Sequence, residues 1–137
     1  MSRRVGVLGG TFDPIHHAHL VAAQEALHAL ALDAVLFVPA GNPPHKPARP
    51  ISPAHHREAM VSLAIAGRAG FNLSRVDVER PGPHFTVDTL TILHRDWGAG
   101  TRFFFIVGSD SLAELTTWRR PEDIIGLADL AVVERPG

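Results

Sequence analysis

The chain has 137 residues, of which 45% are hydrophobic and 20% charged, the ordinary composition of a single globular domain over residues 1–137. Its 13 basic and 14 acidic side chains give a net charge of −1, so no general surface for a nucleic acid polymer is indicated and any phosphate contact must be local. The absence of cysteine excludes disulfides and thiol chemistry. Apolar runs are too short for a signal peptide or a membrane span, so we expect a cytoplasmic protein.

Short apolar runs alternate with segments of helical periodicity along the chain. The pattern predicts strands at residues 3–10, 34–41, 71–80, 101–108 and 129–134, and helices at residues 16–30, from residue 53, at residues 87–97, from residue 111 and at residues 121–128.

Two helix starts carry local signals. Ser52 followed by Pro53 predicts a helix N-terminus with the serine as its cap, and Ser111 with Glu114 has the spacing of a capping box. The apolar residues expected on the buried face of the helix after Pro53 are Met60, Leu63 and Ala64.

Strands that alternate with helices at this spacing predict an α/β protein, with a parallel sheet and helices on both of its faces. Such sheets bind ligands at the carboxyl ends of their strands. The unusual segments of this chain follow the predicted strands: Gly9-Gly10-Thr11, Asn42 to Lys46, Glu79 to Thr86, and Gly108 to Asp110.

The segment "VGVLGGTFDPIHHAH" places three histidines where a strand gives way to a helix. The glycines let the backbone approach a ligand, and the first helical turn offers unpaired N–H groups. His16 and His19 share one helix face and can donate hydrogen bonds to phosphate, whereas His17 is expected to face solvent. The two could also pack beside the sheet or bind a metal, although no Cys, Asp or Glu completes a ligand set at suitable spacing.

The motif "GGTFDPIHHAH" resembles the signature of the nucleotidyltransferases with a His-x-Gly-His motif, in particular the bacterial nicotinate-nucleotide adenylyltransferases. The resemblance continues through "VPAGNPPHK", "VDVERPGPHFTVDTL", "FFIVGSDSLAELTTW" and "VVERPG", and so covers nearly the whole chain in order. It implies a Rossmann-like, doubly wound sheet. It also implies transfer of an adenylyl group from ATP, with Mg²⁺, to nicotinate mononucleotide, which yields nicotinate adenine dinucleotide and pyrophosphate in NAD biosynthesis.

The same resemblance implies roles for individual residues. His16 and His19 would be the catalytic residues, and no metal ligand is implied. The ATP-binding residues would be Gly9, Gly10, Thr11, Phe12, His16, His19, Gly108 and Asp110, and those for the second substrate Asn42, His45, Lys46, Phe85, Thr86 and Trp118.

Several of these roles have a physical basis and a competing interpretation. The helix start at Thr86 offers N–H groups to the nicotinate carboxylate. Trp118 would stack on the pyridinium ring, or else cover a helix end. Asp110 would bind a ribose hydroxyl or cap a helix, Lys46 would bind phosphate or be solvated, and Arg57 could be a phosphate contact or a surface charge.

The chain departs from the family pattern at three places. Ala18 takes the glycine position of the His-x-Gly-His motif, and His84-Phe85 replaces Ser-Tyr. The sequence stops at Gly137, before the family's Ile-Ser-Ser-Thr segment and the arginine that follows it. We therefore expect a C-terminally incomplete domain with part of its sheet uncovered, which favours a homo-oligomer.

Three other functions remain open at this point. The chain could serve another phosphorylated acceptor, such as nicotinamide mononucleotide or phosphopantetheine. It could bind nucleotides without catalysis, or hydrolyse a substrate with a metal held by its histidines.

Overall fold

The computed structural model describes residues 2–42 and 50–134. Within them, five parallel strands form one sheet in the order β3-β2-β1-β4-β5. The strands are β1 (Arg3–Gly10), β2 (Ala34–Pro39), β3 (Phe71–Leu73), β4 (Thr101–Gly108) and β5 (Asp129–Val133). The helices are α1 (His17–Ala29), α2 (Ala54–Ile65), α3 (Thr86–Trp97), α4 (Ser109–Leu112) and α5 (Pro121–Leu127), with a 3₁₀ turn at Leu115–Thr117. The predicted α/β, Rossmann-like class is confirmed.

Strand β1 lies at the centre of the sheet. It pairs with β2 from Val5 opposite Ala34 to Gly10 opposite Pro39, and with β4 on its other side. From β1 the chain proceeds to β2 and β3 on one side, and after β3 it crosses to β4 and β5 on the other side of β1. In a parallel sheet this reversal opens a crevice at the carboxyl ends of the two strands, where ligands bind.

Each face of the sheet has its own hydrophobic core. On one face, α1 and α2 cover β1 and β2, with Ala23 and Val61 of the helices in one cluster with Phe37 of β2. On the other face, α3 and α5 do the same, with Leu90 and Ile124 completely buried. In the segments that the structure describes, no helix is both long and apolar enough to cross a bilayer.

Strand β3 is shorter than the predicted strand at residues 71–80. It ends at Leu73, and the chain then turns, with the amide of Glu79 donating to the carbonyl oxygen of Arg75. The alternating pattern misleads here because Val76 is buried in the hydrophobic core and Asp77 by polar contacts, although neither belongs to a strand. The carboxylate of Asp77 binds the hydroxyl of Thr89 on α3, which draws the chain away from β2.

The buried face of α2 also differs from the prediction. Of the three residues predicted to be buried, Leu63 is 79% exposed, and Met60 and Ala64 are only partly buried. Arg57, Val61 and Ile65 point inwards at helical spacing instead. A search for apolar residues skips the arginine in this stripe and selects the wrong face of the helix.

The predicted capping residues do not act as caps. The N-cap of α2 is Pro53, and Ser52 lies one residue before it. The N-cap of α4 is Gly108, so Ser111 lies inside that helix and does not begin it.

The position of Val61 and Leu63 on α2 is testable by a pair of substitutions. Val61→Ala removes two buried methyl groups and should lower the free energy of unfolding by about 2 kcal/mol. Leu63→Ser alters an exposed side chain and should change it by less than about 0.5 kcal/mol. Urea denaturation followed by circular dichroism measures both; a larger loss for Leu63→Ser would contradict the helix orientation.

Candidate active site

A cavity of about 470 Å³ lies at the carboxyl ends of β1 and β4. Three segments meet in its wall: the glycine turn after β1, the start of α3 and the segment after β4. The predicted site residues in this wall are Gly9, Gly10, Thr11, His19, Phe85, Thr86, Gly108 and Trp118. We call this space the α3 cavity.

A second cavity, of about 600 Å³, lies between α1 and the ends of β4 and β5. We call it the α1 cavity. Its wall contains His16 and Ala18, the residue that departs from the family motif. His19 and Gly108 line both cavities and therefore mark the place where the two spaces adjoin.

The two predicted catalytic histidines form one stacked pair. The rings of His16 and His19 lie 5.6 Å apart, nearly parallel at 16°. The main-chain amide of His16 donates to Nδ1 of His19 at 2.9 Å. In neutral His19 this bond places the ring proton on Nε2, which makes that nitrogen the donor. His17 is exposed, as the sequence predicts.

Phe12 supports this pair from the core. Its side chain is 2% exposed and lines neither cavity, but its ring meets the edge of His19 at 5.0 Å. Phe12 also has a φ of 51°, a left-handed conformation that is costly for a residue with a side chain. The turn after Gly10 is therefore held in one shape by burial of the phenylalanine ring.

The start of α3 forms the opposite wall of the α3 cavity. Thr86 is the first residue of the helix and Phe85 its N-cap, so the unpaired amides of the first turn are at this wall. Trp118 stands near them and meets Phe105 edge-on at 6.0 Å. An anionic group and a flat ring can therefore be bound side by side.

A polar network behind this wall was not found from the sequence. Asp77, 9% exposed, accepts hydrogen bonds from the Thr89 hydroxyl at 2.8 Å and from Nη2 of Arg80 at 2.6 Å. The carbonyl oxygen of Arg80 in turn lies 2.9 Å from Nε2 of His84. Asp77, Thr89 and His84 all line the α3 cavity. The one signal for this network is a carboxylate within a segment that reads as a buried strand.

The position of Arg57 contradicts both interpretations drawn from the sequence. It is completely buried, so it is neither a surface charge nor a direct phosphate contact. Its guanidinium donates to four main-chain oxygens, those of Ser52 at 2.8 Å, Thr11 at 2.9 Å, Ala40 at 2.7 Å and Gly41 at 3.3 Å. The loops that follow β1 and β2 are thereby fastened to α2.

The carboxylate of Asp13 influences Arg57 through its charge but forms no direct ion pair with it. Burial lowers the pKa of Arg57, and the charge of Asp13 partly opposes that effect. The amide of Ser52 donates to Oδ2 of Asp13 at 2.7 Å and lowers the pKa of Asp13. Asp13 therefore stays ionised at neutral pH and ties the glycine turn to the start of α2.

Asn42 is engaged with the protein itself. Its Oδ1 accepts from the amide of Ala54 at 2.8 Å and so satisfies the first N–H group of α2. It lines neither cavity. The predicted roles of His45 and Lys46 fall outside the described residues.

Asp110 is the second residue of α4 and is exposed. Because Gly108 is the N-cap of that helix, the alternative role of Asp110 as the N-cap is wrong. Its side chain is absent from the walls of both cavities, and its bond to a ribose stays a prediction.

The described residues hold no group of three or more His, Asp or Glu side chains able to bind a metal ion. The stacked histidine pair is accompanied in the α1 cavity by Glu25 and Glu134, which do not complete such a group.

Comparison with known proteins places this architecture among nucleotidyltransferases. A family model described as Cytidylyltransferase-like matches residues 7–136. Two relatives named probable nicotinate-nucleotide adenylyltransferase are 52% identical, from Thermomicrobium roseum, and 48% identical, from Corynebacterium kroppenstedtii. Both matches cover 98% of this chain, which spans 62% and 63% of the relatives' length.

Solved structures agree in fold. A protein from Vibrio parahaemolyticus superposes with a TM-score of 0.82 at 16% identity, over 98% of this chain and 76% of that chain. The nicotinic acid mononucleotide adenylyltransferase of Plasmodium falciparum, complexed with NaAD, gives a TM-score of 0.76 at 17% identity with the same coverage.

The packing of Gly41 against His84 and Asp77, two residues of the α3 cavity wall, is testable. A Cβ at this position would lie 2.6 Å from Cε1 of His84 and 2.9 Å from the carbonyl oxygen of Asp77. Gly41→Ala should therefore lower the free energy of unfolding by about 1–3 kcal/mol, the usual cost of overpacking. Gly126→Ala on α5 meets no atom within 4 Å and is the matched control. Thermal denaturation compares the two, and equal stability of both variants would contradict this contact.

Proposed function

The chain belongs to the cytidylyltransferase-like family, and on this premise we propose that it transfers an adenylyl group from ATP to nicotinate mononucleotide. The products would be nicotinate adenine dinucleotide and pyrophosphate, and the reaction would serve NAD biosynthesis in the cytoplasm. The names of the relatives that are about half identical to this chain support the choice of acceptor.

The position of His19 is the observation that carries this proposal. It stands in the walls of both cavities, at the carboxyl end of the central strand. Transfer between two nucleotides needs two binding spaces that meet at the reacting phosphates. We assign the α1 cavity to ATP and the α3 cavity to the acceptor, with the α-phosphate of ATP beside His19.

The reaction needs alignment and charge neutralisation and does not need a covalent enzyme intermediate. A phosphate oxygen of the mononucleotide attacks the α-phosphorus of ATP while the bond to the oxygen bridging the α- and β-phosphates breaks. Pyrophosphate leaves with the electron pair of that bond. Nε2–H of His19, the ring of His16 and the amides around Gly10 and Thr11 would donate to the oxygens on which negative charge grows.

The start of α3 would select the acceptor. Phe85, Thr86 and Trp118 line the cavity together, so a carboxylate on the pyridine ring would bind the amides of the first helical turn while the ring stacks on the indole. Nicotinate carries this carboxylate, and nicotinamide carries an uncharged amide in its place.

Magnesium would enter as part of the substrate. It keeps several water ligands and binds readily through nucleotide phosphates, so a site without a three-ligand protein cluster is compatible with it. Its charge would offset that of the departing pyrophosphate.

The remaining predicted residues would have supporting roles. Phe12 would act through its main chain and by holding His19, since its ring is in the core. Asn42 would shape the loop after β2, from which His45 and Lys46 would reach the acceptor's phosphate. Asp110 would bind a ribose hydroxyl from the first turn of α4.

Substitution of the histidines tests the mechanism. His19→Ala or His16→Ala should lower kcat by about 10²–10³, the cost of losing one preorganised donor. His17→Ala, on the same turn and exposed, should stay within about twofold of the wild type. Pyrophosphate release at saturating substrate measures kcat, and a loss below threefold in folded His19→Ala and His16→Ala proteins would remove the pair from the mechanism.

A panel of acceptors tests the substrate. The chain is incubated with ATP, Mg²⁺ and either nicotinate mononucleotide, nicotinamide mononucleotide or phosphopantetheine, and pyrophosphate is measured. We expect kcat/KM to be at least about tenfold higher for the nicotinate form, because one charge-assisted contact is worth at least 1.4 kcal/mol. Equal efficiency with both pyridine nucleotides would overturn the carboxylate argument. Mononucleotide binding without pyrophosphate release would instead indicate a binding module.

A further inference from the structure

Arg57 lies beneath the α3 cavity without touching it. Thr11 and Ala40 line that cavity, whereas Arg57 does not. Their carbonyl oxygens accept hydrogen bonds from Nη1 of Arg57 at 2.9 Å and 2.7 Å. The guanidinium therefore binds the two cavity loops from the core side.

The direction of these carbonyl groups fixes the direction of the amides that follow them. In a planar trans peptide the C=O and N–H groups point opposite ways. Because the oxygens of Thr11 and Ala40 point to Arg57, the N–H groups of Phe12 and Gly41 point away from it. Phe12 and Gly41 themselves do not line the α3 cavity, so the effect at its wall is that the carbonyl oxygens of Thr11 and Ala40, which would repel an anion, are turned away from it.

The positive charge of Arg57 also favours an anion at this wall. Among the described residues no carboxylate forms a direct ion pair with it, since its donors all go to main-chain oxygens. The ionised carboxylate of Asp13 offsets part of this positive charge without forming an ion pair, and the rest of the field persists in a medium that screens it weakly. That field lies directly under the glycine turn.

We propose that Arg57 is a positioning residue that makes the glycine turn and residues 40–42 after β2 an anion-binding surface. It turns the carbonyl groups of Thr11, Ala40 and Gly41 towards the core and holds the two loops in a fixed relation. The ligand class is the phosphate of a nucleotide, namely the acceptor's phosphate in the α3 cavity and the ATP phosphates that adjoin it at His19, and this assignment rests on the proposed function. The hydrogen bond from Arg57 to Thr11 also helps to position His19, because Thr11 precedes Phe12 and the ring of Phe12 packs against that histidine.

Two substitutions separate this role from simple stabilisation. Arg57→Met keeps an unbranched side chain, although a shorter one, and removes the charge and all the donors. Arg57→Lys keeps the charge but has a single nitrogen, which cannot reach four carbonyl oxygens as the planar guanidinium does. Val61→Ala, one turn along the same buried face of α2, is the control that loses stability without touching either loop.

Binding of inorganic tripolyphosphate is measured by calorimetry well below the melting temperature of each variant, and kcat by pyrophosphate release. We expect Arg57→Met to lose at least tenfold in both affinity and kcat, Arg57→Lys to lose at least threefold, and Val61→Ala to stay within twofold. If Arg57→Met does not fold, the affinity and kcat of Arg57→Lys decide whether Arg57 has the positioning role.

The outcomes distinguish this proposal from the proposed function. Arg57 variants that bind tripolyphosphate like Val61→Ala would overturn the positioning role. Wild-type protein that binds no tripolyphosphate would overturn it as well. If the wild type binds tripolyphosphate but releases no pyrophosphate with ATP and any acceptor, the proposed function fails, and calorimetry alone decides the role of Arg57.

Discussion

Parallel pairing of β1 with β2 on one side and β4 on the other is the constraint on which the rest of the molecule depends. It fixes where the chain reverses direction along the sheet, and hence where the helices on the two faces separate to leave a crevice. The glycine turn, the start of α3 and the segment after β4 come from distant parts of the sequence. They meet because the strands or turns before them end at one edge of the sheet.

The sequence predicts those features that depend on local pattern. Strong apolar runs at β1, β2 and β4 and helical periodicity in α1 and α3 give the α/β class, since burying these stripes on a parallel sheet is the favourable packing. The ends of elements are predicted less well. Residues 71–80 alternate like a strand, yet Asp77 finds its partners on α3 and in Arg80, and a tertiary hydrogen bond overrides the local pattern.

The positions of the candidate site residues were predictable for a related reason. Residues that follow parallel strands must lie at the ligand-binding edge, so Gly10, Thr86 and Gly108 could be assigned to the α3 cavity from topology alone. The direction and partner of a side chain were not predictable in this way. The side chain of Phe12 is buried in the core, and Oδ1 of Asn42 accepts a hydrogen bond from the first residue of α2. Each of these contacts involves a segment distant in sequence, so the local pattern does not reveal it.

Arg57 shows why a purely hydrophobic analysis misses such a residue. A guanidinium is costly to bury unless its donors are satisfied, and here loops after two strands supply main-chain oxygens that the sheet cannot use. Those oxygens would otherwise be unpaired in the core or exposed to an anionic ligand. The loops thus supply the hydrogen-bond acceptors that Arg57 needs, and Arg57 fixes the direction in which their carbonyl groups point. Stability and anion binding therefore depend on the same hydrogen bonds.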